Sequence, residues 1–336
     1  SMFFILLVFD PKLLFQVGFQ MSYAAVFAIV WIYPLLQKFW SPKNIFLKKT
    51  WQLLSVSIAA QVGVLPISLF YFHQFPGLFF VSNLLIVPAL GLILGLGILT
   101  IILALLNILP AFLVSLYNSL IGRMNSIIGW VANQEAFIFR DISFDRIQLI
   151  LTYALLISLV LFCNKTSFKR AFILGLSVIS FQLYFFNAEY QTGKKEKLFL
   201  AHQTKNTVLL YQKGNNLQIM AYDTVKAERI VKDFEVAERI AFIENRSLKN
   251  LYTFANENLL VVDSLSIYPS KQSVEYLLLT QSPRINLERL IDSIHPKKII
   301  ADGSNYRSYV ERWKQTCIKR KLPFHYTGEK GAYSFK

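Results

Sequence analysis

The chain has 336 residues, of which 54% are hydrophobic and 16% are charged, with a mean hydropathy of +0.43. This composition excludes a wholly soluble globular protein. Over residues 50–122, 73 consecutive positions carry no Asp, Glu, Lys or Arg, a pattern typical of membrane-embedded structure. Cys163 and Cys317 belong to no CxxC or Cys/His motif, which excludes a disulfide scaffold and a cysteine-based metal site.

The net charge of +15 fits anionic lipid head groups and nucleic acid equally well. Charge density rises sharply at Glu189: residues 1–188 hold 11 basic and 4 acidic side chains, whereas residues 189–336 hold 24 and 16. The sequence therefore predicts a polytopic α-helical membrane domain over residues 1–188, a linker over 189–197 and a small α/β domain over 198–336.

The first nine residues are apolar or small, which is too few to span about 30 Å of hydrocarbon, and they include no basic n-region of a signal peptide. We therefore expect the chain to begin inside a transmembrane helix and to be the C-terminal part of a longer protein. Five further stretches are apolar and long enough to cross a membrane: 13–37, 51–72, 79–109, 147–164 and 171–188.

The stretch 79–109 contains Asn83, Pro88 and three glycines, which would interrupt a plain helix. Irregular backbone at membrane depth is tolerated only where protein or water satisfies its polar groups. Residues 83–88 are therefore predicted as a broken or re-entrant segment, and a Pro-kinked helix packed by its glycines is the alternative.

Residues 111–133 form a predicted amphipathic helix whose polar face is almost uncharged. Its small and polar positions recur at three- and four-residue steps: Ser115, Asn118, Ser119, Gly122, Asn125, Ser126, Gly129 and Asn133. Arg123 is the single charge, whereas a helix lying in the membrane interface normally carries several Lys or Arg. The face is better suited to lining an aqueous path.

Two loops, 38–49 and 165–170, contain Lys or Arg but no acid, so the positive-inside rule places both in the cytoplasm. An even number of crossings must separate them, yet only three strongly apolar stretches lie between them. Either 111–133 is a fourth crossing or one segment is re-entrant. The last apolar stretch then delivers the C-terminal domain to the extracytoplasmic side.

Polar side chains inside apolar stretches are costly and usually face protein or water. Seven of them are predicted to line the path: Gln20, Ser22, Gln61, Asn83, Ser115, Asn118 and Asn125. For each one alone, an interhelical hydrogen bond is the alternative. None is ionised, which favours a solute that brings its own charge over proton relay or cation coupling.

The segments GFQMSYAAV at 18–26 and SIAAQVGVLPISLFYFHQFPGLFFVSNLLIVPAL at 57–90 resemble the competence domain of the ComEC family. The resemblance covers roughly residues 1–190 and implies a multi-pass channel in the bacterial inner membrane that admits single-stranded DNA during natural transformation. It also implies an oligonucleotide-binding domain upstream in the chain and a metallo-β-lactamase-like domain downstream. An upstream DNA receptor is a further expected partner. The identity of the solute as DNA comes from the resemblance alone.

The C-terminal residues alternate between strand-like and helix-like runs. The predicted strands are 198–203, 207–212, 217–222, 259–263, 276–280 and 299–301, and the predicted helices are 224–236, 286–294 with Asn286 as N-cap, and 304–321 with Ser304 as N-cap. This order indicates an α/β domain compatible with a truncated metallo-β-lactamase fold.

The chemistry of that fold is missing from the sequence. Its zinc site needs several His and Asp side chains, first from an HxHxDH run after a strand, whereas the corresponding residues 279–286 contain neither. The four histidines are far apart in sequence. We therefore predict no catalytic residue, metal or cofactor. The chain also has no P-loop, so a cytoplasmic helicase-like motor is the expected partner for transport.

The candidate anion or nucleic-acid contacts in this domain are Gly303, Ser304, Asn305, Arg307 and Arg312. The first three stand at a predicted strand-to-helix junction, where free amides are suited to hold phosphate. A plain helix N-cap with Asp302 is the alternative. The two arginines lie among aromatic residues, as in single-strand binding surfaces, although Tyr309, Val310 and Trp313 are also spaced as a core face.

The leading hypothesis is a membrane channel component that imports single-stranded DNA, with a catalytically silent outer domain. Two other classes remain open: a metal-dependent nuclease domain on a membrane anchor, and a transporter or scaffold for another anionic solute. The sequence leaves open whether the protein forms a homo-oligomer.

Overall fold

The computed structural model describes residues 2–254, 257–268 and 274–335. The chain divides into two compact units, residues 1–185 and 186–336, which are described separately.

The N-terminal unit is helical because its long runs of Leu, Ile, Phe and Ala satisfy their own backbone hydrogen bonds in a helix. Its helices are α1 (Met2–Phe9), α2 (Val17–Phe39), α3 (Ile45–Phe72), α4 (Phe79–Leu105), α5 (Ala111–Ala132), α6 (Arg146–Asn164) and α7 (Phe168–Lys194). Two short 3-10 helices cover Pro11–Phe15 and Glu135–Phe137. The helices α2, α3, α4, α6 and α7 are long and apolar enough to cross a membrane.

Helix α4 runs without a break through residues 83–88. The prediction of a broken or re-entrant segment was therefore wrong, and the alternative of a Pro-containing helix describes the chain. The physical reason is that Pro88 removes only one backbone donor, while its neighbours keep their helical bonds. Helix α3 begins six residues earlier than predicted, because the Asn44 side chain accepts hydrogen bonds from the amides of Phe46 and Leu47.

Small residues bring α2 and α3 into close contact. A Cβ atom added to Gly63 of α3 would lie 2.3 Å from the Ala28 Cβ and 2.6 Å from the Ala24 carbonyl oxygen of α2. The Tyr153 hydroxyl of α6 donates to the Gly63 carbonyl at 2.8 Å. Gly63 is thus the point where three helices meet, as small residues allow in membrane helix packing.

Helices α4 and α5 form a hairpin that returns to the end of the unit where it starts. Strands β1 (Phe75–Pro76) and β2 (Ile138–Phe139), which flank the hairpin, pair antiparallel. Nearby, the His73 ring Nδ1 lies 3.0 Å from the Ile142 carbonyl oxygen, and the Ile142 amide donates to the His73 carbonyl. Helix α5 is therefore the second helix of this hairpin.

Helix α7 packs antiparallel to α6 through a hydroxyl pair, Ser158 to Ser177 at 2.8 Å, and continues to Lys194. The first C-terminal strand begins two residues later. The segment 189–197 is therefore helix and strand rather than the predicted linker. Its polar residues are fixed within the second unit, where Glu189 forms an ion pair with Arg239.

The C-terminal unit contains two five-stranded sheets. Its strands are β3 (Glu196–Ala201), β4 (Val208–Lys213), β5 (Asn216–Ala221), β6 (Phe242–Arg246), β7 (Leu251–Phe254), β8 (Glu257–Val262), β9 (Tyr276–Leu279), β10 (Lys298–Ala301), β11 (Phe324–Tyr326) and β12 (Tyr333–Ser334). Its helices are α8 (Thr224–Glu238), α9 (Leu287–Ile294), α10 (Arg307–Lys319) and α11 (Thr327–Lys330). The sheet orders are β12-β3-β4-β5-β6 and β11-β10-β9-β8-β7.

The two sheets pack face to face, with helices on their outer faces. Leu198 and Leu200 of β3 meet Leu259 of β8 and Leu278 of β9 in one buried cluster. A second cluster joins α9 and α10 to β8–β10, and a third joins α8 to β4 and β5. Side chains of successive strand residues alternate between these clusters, as the two-residue period of a strand requires. The result is a four-layer helix, sheet, sheet, helix arrangement.

Most predicted elements of this unit are present within one to three residues. Gly214 and Asn215 join β4 and β5 as a two-residue hairpin, with Gly214 at φ +60°. Asn286 caps α9 by accepting from the Arg289 amide. Strands β6, β7, β11 and β12 were not predicted. The described part of β6 lies at a sheet edge with every residue exposed, so it lacks the buried apolar pattern of a strand.

Candidate functional site

The polar face of α5 is exposed along its length. Ser115, Asn118 and Asn125 are exposed, whereas Leu113 on the opposite side is buried. Among the described residues, the Asn118 and Asn125 side chains make no hydrogen bond. The apolar side packs on α4, where a Cβ added to Gly97 would lie 2.8 Å from the Tyr117 hydroxyl. The helix is therefore held by its apolar side and leaves uncharged amides and hydroxyls facing outward.

Gln61 and Asn83 lie on α3 and α4, which pack together, and α4 in turn packs on α5. Both side chains are half-buried, and in the described part of the chain neither has a hydrogen-bond partner. The alternative of an interhelical hydrogen bond thus finds no support at these two positions. Three consecutive helices carry the unpaired amides.

Gln20 and Ser22 lie elsewhere, on α2, which packs against α3 and α6. Gln20 donates to the Leu14 carbonyl at 2.9 Å and borders an otherwise apolar groove, and Ser22 is exposed. The structure therefore divides the seven predicted lining residues into two sets. The α3–α4–α5 set contains Gln61, Asn83, Ser115, Asn118 and Asn125.

The motif His73-Gln74-Phe75-Pro76 joins α3 to α4 and has a structural role that the sequence did not reveal. His73 adopts a left-handed conformation at φ 53° and ends α3, and the Ser68 hydroxyl donates to the Gln74 carbonyl. The Gly77 amide donates to the Phe137 carbonyl at 2.7 Å. These contacts hold the start of α4 against the end of the α5 segment.

In the C-terminal unit, the predicted anion site is a closed hydrogen-bond network. The Ser304 amide and hydroxyl both donate to the carboxylate of Asp302, which is fully buried, and the Thr207 hydroxyl donates to its other oxygen. The Tyr306 amide donates to the Ser282 hydroxyl. The amides of Ser304, Asn305 and Tyr306 already have partners, and the Asp302 carboxylate occupies the junction. The geometry therefore favours a structural role for Ser304 and Asn305 over an anion contact.

The N-cap prediction for Ser304 was wrong. Helix α10 begins at Arg307, with Tyr306 as N-cap and no side-chain cap bond. The Ser304 hydroxyl oxygen instead accepts a hydrogen bond from the Gln281 amide at 2.7 Å. The Asn305 Oδ1 atom accepts one from the Ser282 amide at 2.7 Å. The reason is that both side chains hydrogen-bond to residues that follow the neighbouring strand β9, and not to the first turn of their own helix.

Gly303 is required by a close backbone approach. A Cβ at this position would lie 2.4 Å from the Gln203 carbonyl oxygen, and the Gly303 carbonyl accepts the Lys205 amide. The two sheets are thereby joined at the carboxyl ends of β3 and β10. A glycine after a buried strand is the signal in the sequence, and it is compatible with close backbone packing as well as with the ligand binding that the sequence analysis predicts.

Gln281 and Ser282 are consecutive residues with left-handed backbone, at φ 57° and 56°. Non-glycine residues rarely adopt this conformation, and such strain is found where surrounding structure determines it. Here the Ser304 and Asn305 side chains hold both amides. Gln281 borders a cavity of about 460 Å³ with a mixed polar and apolar lining at the carboxyl ends of β8 and β9, which Lys249 also lines. This strained pair was missed because neither residue type predicts positive φ.

Burial raises the pKa of Asp302 from 3.8 to about 6, and the hydrogen bonds from Ser304 and Thr207 oppose the rise. The rise in pKa reflects a carboxylate that is removed from water. Its hydrogen-bond donors are hydroxyl and amide groups, and no cation is among the causes of the shift.

The basic side of α10 is partly neutralised. Lys314 pairs with Glu329 at 3.0 Å, Lys319 with Glu288 at 3.3 Å and Arg320 with Asp292 at 3.0 Å. Arg307 and Arg312 are exposed, and the Arg312 guanidinium lies 5.1 Å from the ring centre of Tyr309. Val310, Trp313 and Cys317 are buried, as the core-face interpretation predicts. The two arginines remain candidate contacts for an anion at the surface.

Among the residues that the structure describes, no three His, Cys, Asp or Glu side chains are grouped to hold a metal ion. The His202 ring contacts the Thr327 hydroxyl at 3.0 Å, and the His325 ring contacts the Gly331 carbonyl at 3.0 Å. Each of these two rings thus has a protein hydrogen-bond partner.

Five apolar helices, an exposed polar helix face and a two-sheet domain define a multi-pass membrane protein with an appended α/β domain. Two family descriptions match it: "Competence protein" over residues 1–166 and "ComEC C-terminal domain" over residues 198–336. The chain belongs to the ComEC family of membrane proteins involved in natural competence.

A curated relative, "ComE operon protein 3" of Bacillus subtilis (strain 168), is 37% identical over 86 residues. The aligned part is 26% of this chain and 10% of that protein, so the chain matches only a small part of its relative. No solved structure matches the chain.

Proposed function

We propose that the N-terminal unit forms part of a conduit for single-stranded DNA across the membrane, and that the α5 face borders the path. The observation that carries the proposal is the exposed row of uncharged amides and hydroxyls on α5, in a unit whose other helices are strongly apolar. The family's involvement in natural competence supplies the solute class. Leaving such a face in hydrocarbon would cost several kcal/mol per unsatisfied group, which favours a position next to water, solute or another polar protein surface.

The absence of fixed charge along this face suits an anionic polymer in transit. Asn118, Asn125 and Ser115 can replace water around phosphates by donating hydrogen bonds, but neutral donors bind an anion more weakly than Lys or Arg. Arg123, which is exposed, is the one cation of α5. Weak and repeated contacts allow the strand to leave each position as readily as it enters.

We propose that the protein is a multi-pass protein of the bacterial inner membrane with loops 38–49 and 165–170 in the cytoplasm. Both loops are basic and free of acids, which supports this orientation through the positive-inside rule. With α7 as the last crossing, the C-terminal unit lies on the extracytoplasmic side. In this orientation, helix α5 provides the fourth membrane crossing between the two loops.

Transport needs energy and partners from outside this chain. A cytoplasmic helicase-like motor would pull the strand, and an upstream DNA receptor would deliver it. A homo-oligomer would supply further polar faces to enclose the α5 face.

We propose that the C-terminal unit is a metallo-β-lactamase-like domain without catalytic activity, acting as a scaffold or docking surface. Its four-layer arrangement supports the likeness, and the closed Asp302 network at the carboxyl end of β10 supports a structural role there. Arg307 and Arg312 are the surface residues that we propose for DNA contact in this unit.

Thiol labelling tests the conduit directly. Cys163 is exposed and is first replaced by Ser, whereas Cys317 is buried and stays. Single cysteines at Asn118 and Asn125 should react in membranes with a charged, water-soluble thiol reagent, and added single-stranded DNA should slow the reaction. Ile128→Cys is the matched control, because Ile128 is exposed on the same helix but apolar. Unreactive cysteines at both amide positions would overturn the proposal.

Transformation supplies the functional readout. Asn118→Leu with Asn125→Leu should lower transformation by more than about tenfold, corresponding to about 1.4 kcal/mol at the barrier, without loss of inserted protein. Gln61→Leu should act in the same direction. Met124→Leu with Ile127→Leu, on the half-buried side of α5, is the control and should leave transformation unchanged.

A further inference from the structure

A continuous groove runs along α2 and α6 of the N-terminal unit. One cavity of about 560 Å³ is lined by apolar side chains of α2, α3 and α6. A second cavity of about 400 Å³ lies toward the carboxyl ends of α2 and α6. Trp31 and Val160 line both cavities, so the two are adjoining parts of one groove, which we name the α2–α6 groove.

The groove changes character at one end. Its lining is apolar from Phe27 through Trp31 to Leu35, and it ends at Lys38 and Asn164. These two residues stand where α2 and α6 approach their carboxyl ends, and the apolar residues precede them along the helices.

Positive charge accumulates at that end without compensation from the loops. Lys38 is exposed, and Lys165 follows Asn164 directly. The Arg170 guanidinium donates to the carbonyls of Leu161 at 2.8 Å and Lys165 at 3.2 Å, which fixes a third positive charge at the end of α6. Neither loop 38–49 nor loop 165–170 contains an acid.

We propose that the α2–α6 groove binds one anionic phospholipid, with its phosphodiester at Lys38, Lys165 and Asn164 and its acyl chains along Trp31, Leu35 and Val160. The dimensions fit: ten helical residues from Lys38 back to Ala28 span about 15 Å, the depth of one bilayer leaflet. A free phosphate would leave the apolar lining unfilled. A transmembrane helix would fill it but would not neutralise the three cations.

Binding is measured on the full chain in detergent by native mass spectrometry, with phosphatidylglycerol and phosphatidylcholine of identical acyl chains. The wild-type protein should retain one phosphatidylglycerol in preference to phosphatidylcholine. Lys38→Gln with Lys165→Gln should lower phosphatidylglycerol affinity about 30-fold, since a basic residue near an anionic head group contributes about 1 kcal/mol. Lys43→Gln with Lys48→Gln, the matched control from the same basic loop, should leave the affinity unchanged.

A second variant separates the acyl chains from the head group. Val160→Trp fills the groove at the junction of its two cavities and should lower the affinity for both lipids, while thermal unfolding verifies that the variant is folded. Equal retention of the two lipids would overturn the proposal, as would an equal loss in the Lys43 and Lys48 control. It would also fall if inorganic phosphate alone displaced the lipid, or if Val160→Trp released a second copy of the chain.

Discussion

Polar side chains have opposite surroundings in the two units. In the C-terminal unit, Asp302, Thr207 and Asn305 are buried and hydrogen-bonded to one another or to neighbouring backbone. On α5 of the N-terminal unit, Asn118 and Asn125 are exposed and have no partner in the described part of the chain. The same residue types thus stabilise the fold in one unit and stay available to a ligand in the other. Hydrogen-bond satisfaction, rather than residue type, distinguishes the two roles.

The largest expected effect comes from opening the buried network. Asp302→Ala should lower the free energy of unfolding of the C-terminal unit by about 4 kcal/mol relative to Asp302→Asn, because buried donors of Ser304, Thr207 and Asn305 lose their acceptor. The asparagine keeps one acceptor oxygen in place. Hydrogen exchange of the peptides around β3 and β10 measures the difference. Equal protection in the two variants would contradict a structural role for the network.

The network should also make the stability of this unit depend on pH. Because the pKa of Asp302 is raised from 3.8 to about 6, the folded state binds more protons than the unfolded state between these values. The free energy of unfolding should therefore fall by about 2 kcal/mol as the pH rises from 4 to 7, since each pKa unit corresponds to about 1.4 kcal/mol and part of the titration lies below pH 4. Asp302→Asn should remove this dependence, and an unchanged pH profile in that variant would assign it to other groups.

A smaller effect is expected where backbone packing, rather than polar satisfaction, fixes the membrane helices. Gly63→Ala should destabilise the N-terminal unit by about 2 kcal/mol, because the new methyl group would meet the Ala24 carbonyl at 2.6 Å, which is backbone and cannot turn away. Gly95→Ala is the matched control, since nothing lies within 4 Å of its added Cβ. It should be neutral or slightly stabilising. Unfolding in a denaturing detergent compares the two variants.

Much of the fold could be predicted because buried helices and strands have a recognisable pattern of apolar residues in the local sequence. The apolar stretches predicted the five helices that are long and apolar enough to cross a membrane, and the alternation of strand residues predicted the central strands of both sheets. The errors have a common cause. Residues 83–88 lie within the continuous helix α4, and residues 189–197 belong to α7 and β3, although both segments contain helix-breaking or charged residues. Glu189 of the second segment also forms an ion pair with the distant Arg239. Such tertiary effects have no local signature.

The candidate sites show the same limit. The polar face of α5 follows from helical periodicity, so the sequence alone predicted it. The sequence did not predict that Ser304 and Asn305 hydrogen-bond to backbone amides. Their partners Gln281 and Ser282 are more than twenty residues away in sequence and follow a neighbouring strand. A polar side chain after a strand can bind a ligand or a neighbouring loop equally well. The two roles can be told apart only when the position of the partner residue is known.

The smallest expected effect compares two serines within the membrane unit. Ser55 is buried on α3 and accepts a hydrogen bond from the Gln37 side chain of α2 at 2.9 Å, whereas Ser115 is exposed on α5. Ser55→Ala should cost about 0.6 kcal/mol, a typical value for a hydrogen bond between membrane helices, and Ser115→Ala should cost nothing measurable. Transformation should respond in the opposite order, with the α5 variant the more impaired. If Ser115→Ala destabilised the helices as much as Ser55→Ala, the α5 face would be a packing surface, and the contrast between the two units would disappear.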